Sequence, residues 1–283
     1  MQLLDGKKIA EKIYSELKKE ISAILETGVT PRLVVVLVGD NPASLSYIEA
    51  KRKQAERLGI KFEFFHFPED IDQHSLCRKI VDLNRLSNVF GIVVQLPLPE
   101  KFQRQQVLDC VLPSLDIDGL TSSNQTKLSA GKPAFVPPTP AAILKLLEEY
   151  QISLADKHIV IVGAGELVGK PLNKILVQRG LTVSVATAKT KNLSALTKNA
   201  DILVTAVGKP GLIKGPMVKK GAVVIDAGTA FTLDQGKVKL TGDVDFKRVA
   251  VKASYITPVP GGVGPLTVAF LFKNFVQAYK QLS

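Results

Sequence analysis

The sequence predicts an α/β protein of two lobes, and three observations predict it. First, apolar strand-like runs alternate with amphipathic helical segments through residues 5–99 and again through 158–226, the pattern of βαβ units around a parallel sheet. Second, an irregular stretch over residues 110–140, with Pro113, Pro133, Pro137, Pro138 and Pro140, separates the two series. Third, the strand-like run His158–Val162 passes directly into Gly163-Ala164-Gly165-Glu166-Leu167-Val168-Gly169-Lys170-Pro171 and then a helix. A strand-to-helix turn without side chains lets backbone N–H groups approach a pyrophosphate at the positive end of a helix. The second lobe is therefore expected to be a Rossmann-like dinucleotide-binding domain. The spacing G-x-G-x-x-x-G is one residue longer than the common fingerprint, and taken alone it also suits an ordinary turn. The expected division is 1–139 for the first lobe, joined by a C-terminal helix over 266–283, and 140–265 for the second, with a cleft between them.

The elements follow in order. Asp5 caps a first helix whose stripe is Ile9, Ile13, Leu17, Ile21, Ile24 and Leu25, and Thr30-Pro31 breaks it. Arg32–Val38 is apolar throughout, as in a strand buried on both faces. Asn41 and Pro42 open a helix that ends at Gly59. Lys61–Phe67 is a strand, 75–86 a helix, and 91–96 a third strand closed by Pro97 and Pro99. A helix over 140–150 leads into the glycine turn. A helix to Arg179, a strand over 181–186, a short helix over 192–198 and strands over 202–206 and 222–226 complete the second series. A hairpin-like stretch over 229–240 follows, and the last helix, from Leu266, has no strand after it and is free to pack on the first lobe.

Composition narrows the function classes. Of 283 residues 46% are hydrophobic, enough for a sizeable core. No apolar run reaches the length of a membrane span, and the start has no signal-peptide layout. The net charge is +11, from 37 basic and 26 acidic residues. The positive residues are scattered, with Lys51-Arg52-Lys53 the longest run, so a solvated basic surface or an anionic small ligand is expected and nucleic acid is not. Cys77 and Cys110 lie outside any C-x-x-C pair and suit a reducing cytosol. His66, His74 and His158 lack ligand spacing, so no metal is expected, and His66 and His158 read as packing residues.

Several residues could carry chemistry. Tyr47 and Lys51 are four apart on one helix face, near the carboxyl end of the preceding strand, where open α/β sheets place ligands. The pair is either a surface pair or a functional one, and a functional lysine would be partly buried, with a lowered pKa. Gln95 interrupts an apolar strand and must be hydrogen-bonded there. Asp116 and Asp118 precede Gly119; either is a turn-former, and one could accept two hydrogen bonds from a ligand edge. Pro260-Gly261-Gly262-Val263-Gly264-Pro265 is either a rigid connector or a place where backbone meets a flat ligand. Beyond the second strand of the second lobe, Val185-Ala186-Thr187-Ala188-Lys189-Thr190-Lys191 has no acid for a ribose hydroxyl and two lysines, which leans toward NADP over NAD.

Together these strings resemble the bifunctional methylenetetrahydrofolate dehydrogenase/methenyltetrahydrofolate cyclohydrolase family. The matching pieces are Ser44–Lys51 with Leu58-Gly59-Ile60, Gly91–Pro99, Asp116–Gly119, Gly163–Pro171, Ala206–Gly211 and Tyr255–Pro265. They keep the family's order over nearly the whole chain. The resemblance implies a folate-binding lobe, an NADP-binding lobe and two steps, oxidation of the methylene-bridged folate and hydrolysis of the methenyl cation, with no metal. It implies that Lys51 is the acid/base group, that Tyr47 stacks on the folate, that Gln95 positions Lys51 and that Asp118 holds the pterin edge. Leu96, Pro97, Pro260, Gly261 and Gly262 would line the substrate site. The cofactor positions would be Gly163, Ala164, Gly165, Val168, Gly169, Ala188, Lys189, Val207, Gly208 and Thr229. A cytoplasmic homodimer is implied as well.

The chain departs from the family pattern at Thr126, where glycine is usual, at Pro138 for Cys and at Ala142 for Gly. In the cofactor half, Ala164 and Ala188 stand for the usual Arg and Ser, Thr187 for His, and Thr229-Ala230 for Ile-Asn. Two further readings therefore stand beside the first: a cyclohydrolase with weak or NAD-shifted dehydrogenase activity, and a non-catalytic dinucleotide- or folate-binding protein.

Overall fold

The computed structural model describes residues 1–234 and 237–282. In chain order the elements are β1 (Gln2–Leu3), α1 (Gly6–Glu26), β2 (Arg32–Val38), α2 (Pro42–Leu58), β3 (Lys61–Phe67), α3 (Gln73–Leu83), β4 (Val89–Val94), α4 (Arg104–Leu108), α5 (Ser122–Ser129) and α6 (Pro138–Glu149). There follow β5 (Ile159–Val162), α7 (Gly169–Gln178), β6 (Val183–Ala186), α8 (Leu193–Thr197), β7 (Ile202–Thr205), β8 (Val223–Asp226), β9 (Ala230–Asp234), β10 (Lys237–Thr241), α9 (Phe246–Ala250), β11 (Tyr255–Ile256) and α10 (Val263–Leu282). Residues 235–236 of the hairpin-like stretch expected over 229–240, and residue 283 of the expected last helix, lie outside the described residues.

The chain forms two compact units. One comprises Lys12–Pro137 and the chain from Val268 onward; the other comprises Met1–Glu11 and Pro138–Thr267. The first eleven residues thus fall outside the lobe in which the sequence placed them. Two interactions put them there. β1 pairs in parallel with β11, and the N–H groups of Gly6 and Lys7 both bond the carbonyl of Gly261, at 3.0 and 3.2 Å. A pair of strand residues is too short to show a period, so the sequence carried no signal for β1 or for β11.

In the Lys12–Pro137 unit a three-stranded parallel sheet has the order β3-β2-β4. β2 is central, and Leu33 to Leu37 are wholly buried, as an apolar run between two covering layers requires. The free edge of β4 is covered by the segment after α4, where Ile92 N–H bonds Leu115 O at 2.8 Å. α10 packs on the same strand: a Cβ on Gly91 would collide with Ile117 and meet Phe275, and Phe90 stacks edge-on against Tyr279. β4 starts and ends two residues earlier than expected, so Gln95 and Leu96 lie just past it. α3 likewise begins at Gln73, capped by Asp72. The supposedly irregular 110–140 segment contains α5, whose cap is Thr121 accepting from Asn124 N.

The other unit holds a six-stranded parallel sheet in the order β1-β11-β8-β7-β5-β6, and a separate antiparallel pair β9-β10. Its core is Val160, Val162, Leu203, Val224, Ile256 and their neighbours. The order reverses at β5: the chain passes from β5 outward to β6, then returns to β7 on the other side. That reversal opens a crevice beyond the carboxyl ends of β5 and β7, the place where sheets of this kind bind ligands.

Asn274 of α10 is buried, and its amide donates to Ile117 O at 2.8 Å and Val136 O at 2.9 Å. Asn274→Leu leaves both carbonyls unpaired. The variant is expected to lose about 2–4 kcal/mol of stability in chemical denaturation, whereas a loss below about 0.5 kcal/mol would show that this anchor is incidental.

Candidate active site

Three elements of the Lys12–Pro137 unit bring polar groups to the carboxyl edge of its sheet. Asn41 caps α2 by accepting from Ser44 N at 3.1 Å, and the helix then presents Tyr47 and Lys51 on one face. Gln95 follows β4, its N–H held by Val36 O of the central strand at 2.8 Å. The Asp116–Gly119 turn lies against the edge of β4. Lys51 Nζ donates to Gln95 Oε1 at 2.9 Å, and Gln95 Nε2 donates to Leu96 O at 2.9 Å. Ser44 Oγ reaches the same carbonyl at 3.4 Å. Lys51, Gln95 and Asp118 are thereby gathered at one place, and Tyr47, half-buried, stands one helical turn from Lys51.

The electrostatics are those of a desolvated pair. Burial pushes the Lys51 ammonium below its ordinary pKa, and the Asp118 charge pulls it part of the way back. Burial pushes Asp118 up, and the Lys51 charge pulls it down. Asp116 has another task. It is 4% exposed and accepts from Leu120 N, Thr121 N and Asn124 Nδ2 at 3.1, 2.8 and 2.9 Å. Burial raises it to about 6, against the pull of these donors. Asp116 is therefore the turn-former and Asp118 the carboxylate facing Lys51. Leu96 is half-buried and Pro97 exposed beside them.

In the other unit the glycine turn follows β5. Gly163 has φ +106°, and a Cβ there would run into the backbone of Ala206 after β7; a Cβ on Gly169 would collide with Gly163 O. These two glycines allow the tight turn and the close approach of α7 to the strand. Around Gly165 there is open space, as a backbone that must meet a ligand requires. Val168 at the N-cap makes no side-chain cap bond; Lys170 N–H turns back to Gly165 O at 3.0 Å and Pro171 has no N–H, which leaves the Gly169 N–H and the positive helix end for a ligand. The extra residue in the spacing lies in the 165–168 loop and leaves all three glycine roles in place. Beyond β6, Thr187 N donates to Thr190 Oγ1 at 2.9 Å and closes a turn on which Ala188 and Lys189 are exposed. Val207 and Gly208 stand exposed after β7, and Thr229 after β8. Gly261 and Gly262 are buried beneath the start of α1, with Pro260 exposed next to them. These features fit a dinucleotide.

Sequence reasoning missed Asp226 and Asp243, two buried acids under the loops of this unit; their signal was the pair of glycines, Gly228 and Gly242, whose missing side chains make room for them. The ring nitrogens of His158 lie against Asn199 O and Ser184 Oγ, a packing position. Among the described residues no cluster of three His, Cys, Asp or Glu could hold a metal, and no helix is long and apolar enough to cross a membrane. A cavity of about 220 Å³ lined by Lys157, Asp201, Lys219 and Ser254 lies at the starts of β7 and β8, on the sheet edge opposite the glycine turn.

Fold and clusters define the class: a two-unit α/β protein with a dinucleotide-type turn in one unit and a desolvated lysine–amide–carboxylate cluster in the other. Residues 4–118 match the catalytic domain of tetrahydrofolate dehydrogenase/cyclohydrolase, and residues 137–283 match its NAD(P)-binding domain. The bifunctional protein FolD of Nautilia profundicola is 46% identical over 283 residues, covering 100% of this chain and 99% of that protein. The crystal structure of the bifunctional FolD enzyme of Campylobacter jejuni is 43% identical, with TM-score 0.92 and full coverage of both chains. The Trypanosoma brucei enzyme, solved with NADP and an inhibitor, is 35% identical, with TM-score 0.94 over 98% of this chain and 97% of that one. The chain belongs to the tetrahydrofolate dehydrogenase/cyclohydrolase family.

A lysine titration by NMR checks the electrostatics. One lysine should titrate below the rest, and its signal should vanish in Lys51→Met. Asp118→Asn removes the charge that raises Lys51, so its pKa should fall further. A rise in that variant would contradict the coupling described above.

Proposed function

We propose that the chain oxidises 5,10-methylenetetrahydrofolate to the methenyl compound with NADP and then hydrolyses that cation to 10-formyltetrahydrofolate. The observation that carries the reading is the Lys51–Gln95 hydrogen bond beside Asp118, in a desolvated position, in a chain of this family. Burial favours the neutral amine, and a cationic methenyl substrate favours it further, because like charges repel. Neutral Lys51 takes a proton from the attacking water as its oxygen bonds the methenyl carbon. The bond from that carbon to the ring nitrogen then breaks, and the nitrogen takes up a proton. Gln95 holds Nζ in place, and Tyr47 covers the substrate with its ring. Asp118 accepts two hydrogen bonds from the pterin edge; such donors favour its ionised form despite burial. Leu96 and Pro97 complete the substrate contacts of this unit, and the family resemblance assigns a substrate role to Pro260, Gly261 and Gly262 as well.

Gly163, Ala164, Gly165, Val168 and Gly169 are the residues that would hold the pyrophosphate, Ala188 and Lys189 the 2′-phosphate end, and Val207, Gly208 and Thr229 the remainder. NADP, when bound, supplies a nicotinamide that accepts the hydride. The family resemblance supports a homodimer, which light scattering would test, and the two unpaired thiols suit the cytoplasm.

Lys51→Met is expected to slow hydrolysis of supplied methenyltetrahydrofolate by about 10²-fold or more. In the wild type the rate should fall as pH drops through the lowered Lys51 pKa, because protonation removes the base. Hydrolysis that survives Lys51→Met at full rate would sink this mechanism. With Ala164 and Ala188 lacking polar side chains, the 2′-phosphate depends on exposed Lys189, and an exposed ion pair gives about 1 kcal/mol or less. The kcat/KM ratio of NADP over NAD is thus expected to stay within about tenfold, read from methenyl absorbance with each cofactor.

A further inference from the structure

Asp226 and Asp243 are 3% and 0% exposed, and the partners of their carboxylates among the described residues are neutral donors. Asp243 accepts from Thr205 Oγ1, Val207 N and Lys209 N, each at 2.7 Å. Asp226 accepts from Gly228 N, Asp243 N and Val244 N at 3.0, 3.1 and 2.9 Å. Its own N–H donates to Thr257 Oγ1 at 2.7 Å. The two acids interlock through glycines. A Cβ on Gly228 would collide with the Asp243 carboxylate, and a Cβ on Gly242 would collide with that of Asp226. Each acid occupies the volume a side chain would fill on the strand the other one organises.

Two neighbouring buried acids without a cation are unfavourable for stability, and burial together with the Asp243 charge raises Asp226 to about 6. Apolar side chains would fill the same volume at less cost. What apolar side chains cannot do is collect N–H groups from irregular backbone. The donors here come from the ends of β7 and β8 and from the return after β10, and the Thr257 link reaches the chain after β11. These ends line the crevice at the strand-order reversal, on the side away from β6. In sheets of this kind the β6 side takes the adenosine ribose, so the β7–β8 side takes the other half of a dinucleotide.

We propose that Asp243, seated on Asp226, is a positioning residue for the nicotinamide half of the cofactor, acting through the backbone of Val207, Gly208 and Lys209. The inference rests on the NADP half of the function proposed above. A carboxylate suits the task because it only accepts. An amide at 243 would present an N–H toward a backbone N–H at one of its two ends. Gly208, at φ +76°, lies between the two clamped N–H groups, so its exposed backbone is held from both sides.

The test is Asp243→Asn, which keeps the side chain's size. The chain has no tryptophan, so binding is read by calorimetric titration with NADP. The expected result is NADP binding weakened by about tenfold, KM for methylenetetrahydrofolate changed by less than about twofold, and faster amide exchange at Val207 and Lys209. A variant that melts lower but binds NADP as the wild type does would make Asp243 merely structural and overturn the proposal. Amide exchange in the wild type is a check that needs no variant: if Val207 and Lys209 exchange as freely as exposed loop amides, the clamp does not exist. A wild type that binds neither NADP nor NAD would overturn the function proposed above and this inference together. Weakened binding in the variant alone cannot arise from that failure.

Discussion

The desolvation of one lysine is the constraint on which the catalytic unit depends. A buried ammonium is unfavourable, and the fold meets the cost with a neutral acceptor instead of a close carboxylate. Gln95 suits this because its amide has two distinct ends. Nε2 donates to Leu96 O, which leaves Oε1 facing Lys51. An amide oxygen accepts from an amine or from an ammonium, so it holds Nζ without fixing its charge. A glutamate there would stabilise the ammonium and remove the neutral form. Asp118 tempers the shift through charge, while among the described residues the hydrogen bond that holds Nζ is the one to Gln95 Oε1. Its carboxylate is left for other donors.

The second requirement is that Asp118 be held on a segment with little regular structure. The segment is stabilised from three sides. Leu115 O pairs with the edge of β4. Asp116 gathers Leu120 N, Thr121 N and Asn124 Nδ2. Asn274 of α10 holds Ile117 O, and Ile117 fills the space left by Gly91. The residues on either side of Asp118 are thus bonded to a strand, a helix cap and the last helix. This explains why two aspartates one residue apart behave differently. One is consumed by the backbone around it, and the other is presented.

Much of this was legible in the sequence because it rests on periodicity and on backbone chemistry that few residues supply. Asn41-Pro42 and Gly59 marked both ends of α2, the apolar run marked β2, and the glycine turn marked the strand reversal. What was not legible depends on partners distant in sequence. β1 and β11 are two residues each and exist through pairing with distant strands, β1 with β11 and β11 with both β1 and β8. α5 lies in a polar stretch with a weak apolar stripe, and its helix is stabilised by Thr121 and Asn124 packing under the Asp116 turn. Nothing local distinguishes Asp243 or Asp226 from surface acids; only their burial and the glycines opposite them do. Tyr47, Lys51, Gln95 and Asp118 could be singled out one at a time, but their convergence at one edge follows from the β3-β2-β4 order, which the string does not print.

The departures from the family pattern sort by the same physics. Thr126 is in the middle of α5, exposed, with its hydroxyl bonded to Ser122 O, so a helical residue serves there without the freedom of glycine. Pro138 is the first residue of α6, where the lack of an N–H is harmless. Ala142 is wholly buried in α6 and stabilises the helix relative to glycine. These three therefore leave the fold as it was. Ala164 and Ala188 differ: they stand in the turns after β5 and β6, at positions the proposed function gives to the cofactor, and a methyl there removes polar reach without altering backbone. The turn geometry set by Gly163, Gly165 and Gly169 survives, and so does the clamp beneath the β7 and β8 loops. Under the proposed function, recognition of what dinucleotides share, the pyrophosphate and the nicotinamide, rests on that backbone, and recognition of what distinguishes one from another rests on the side chains beyond β6, which is where this chain departs from the family pattern.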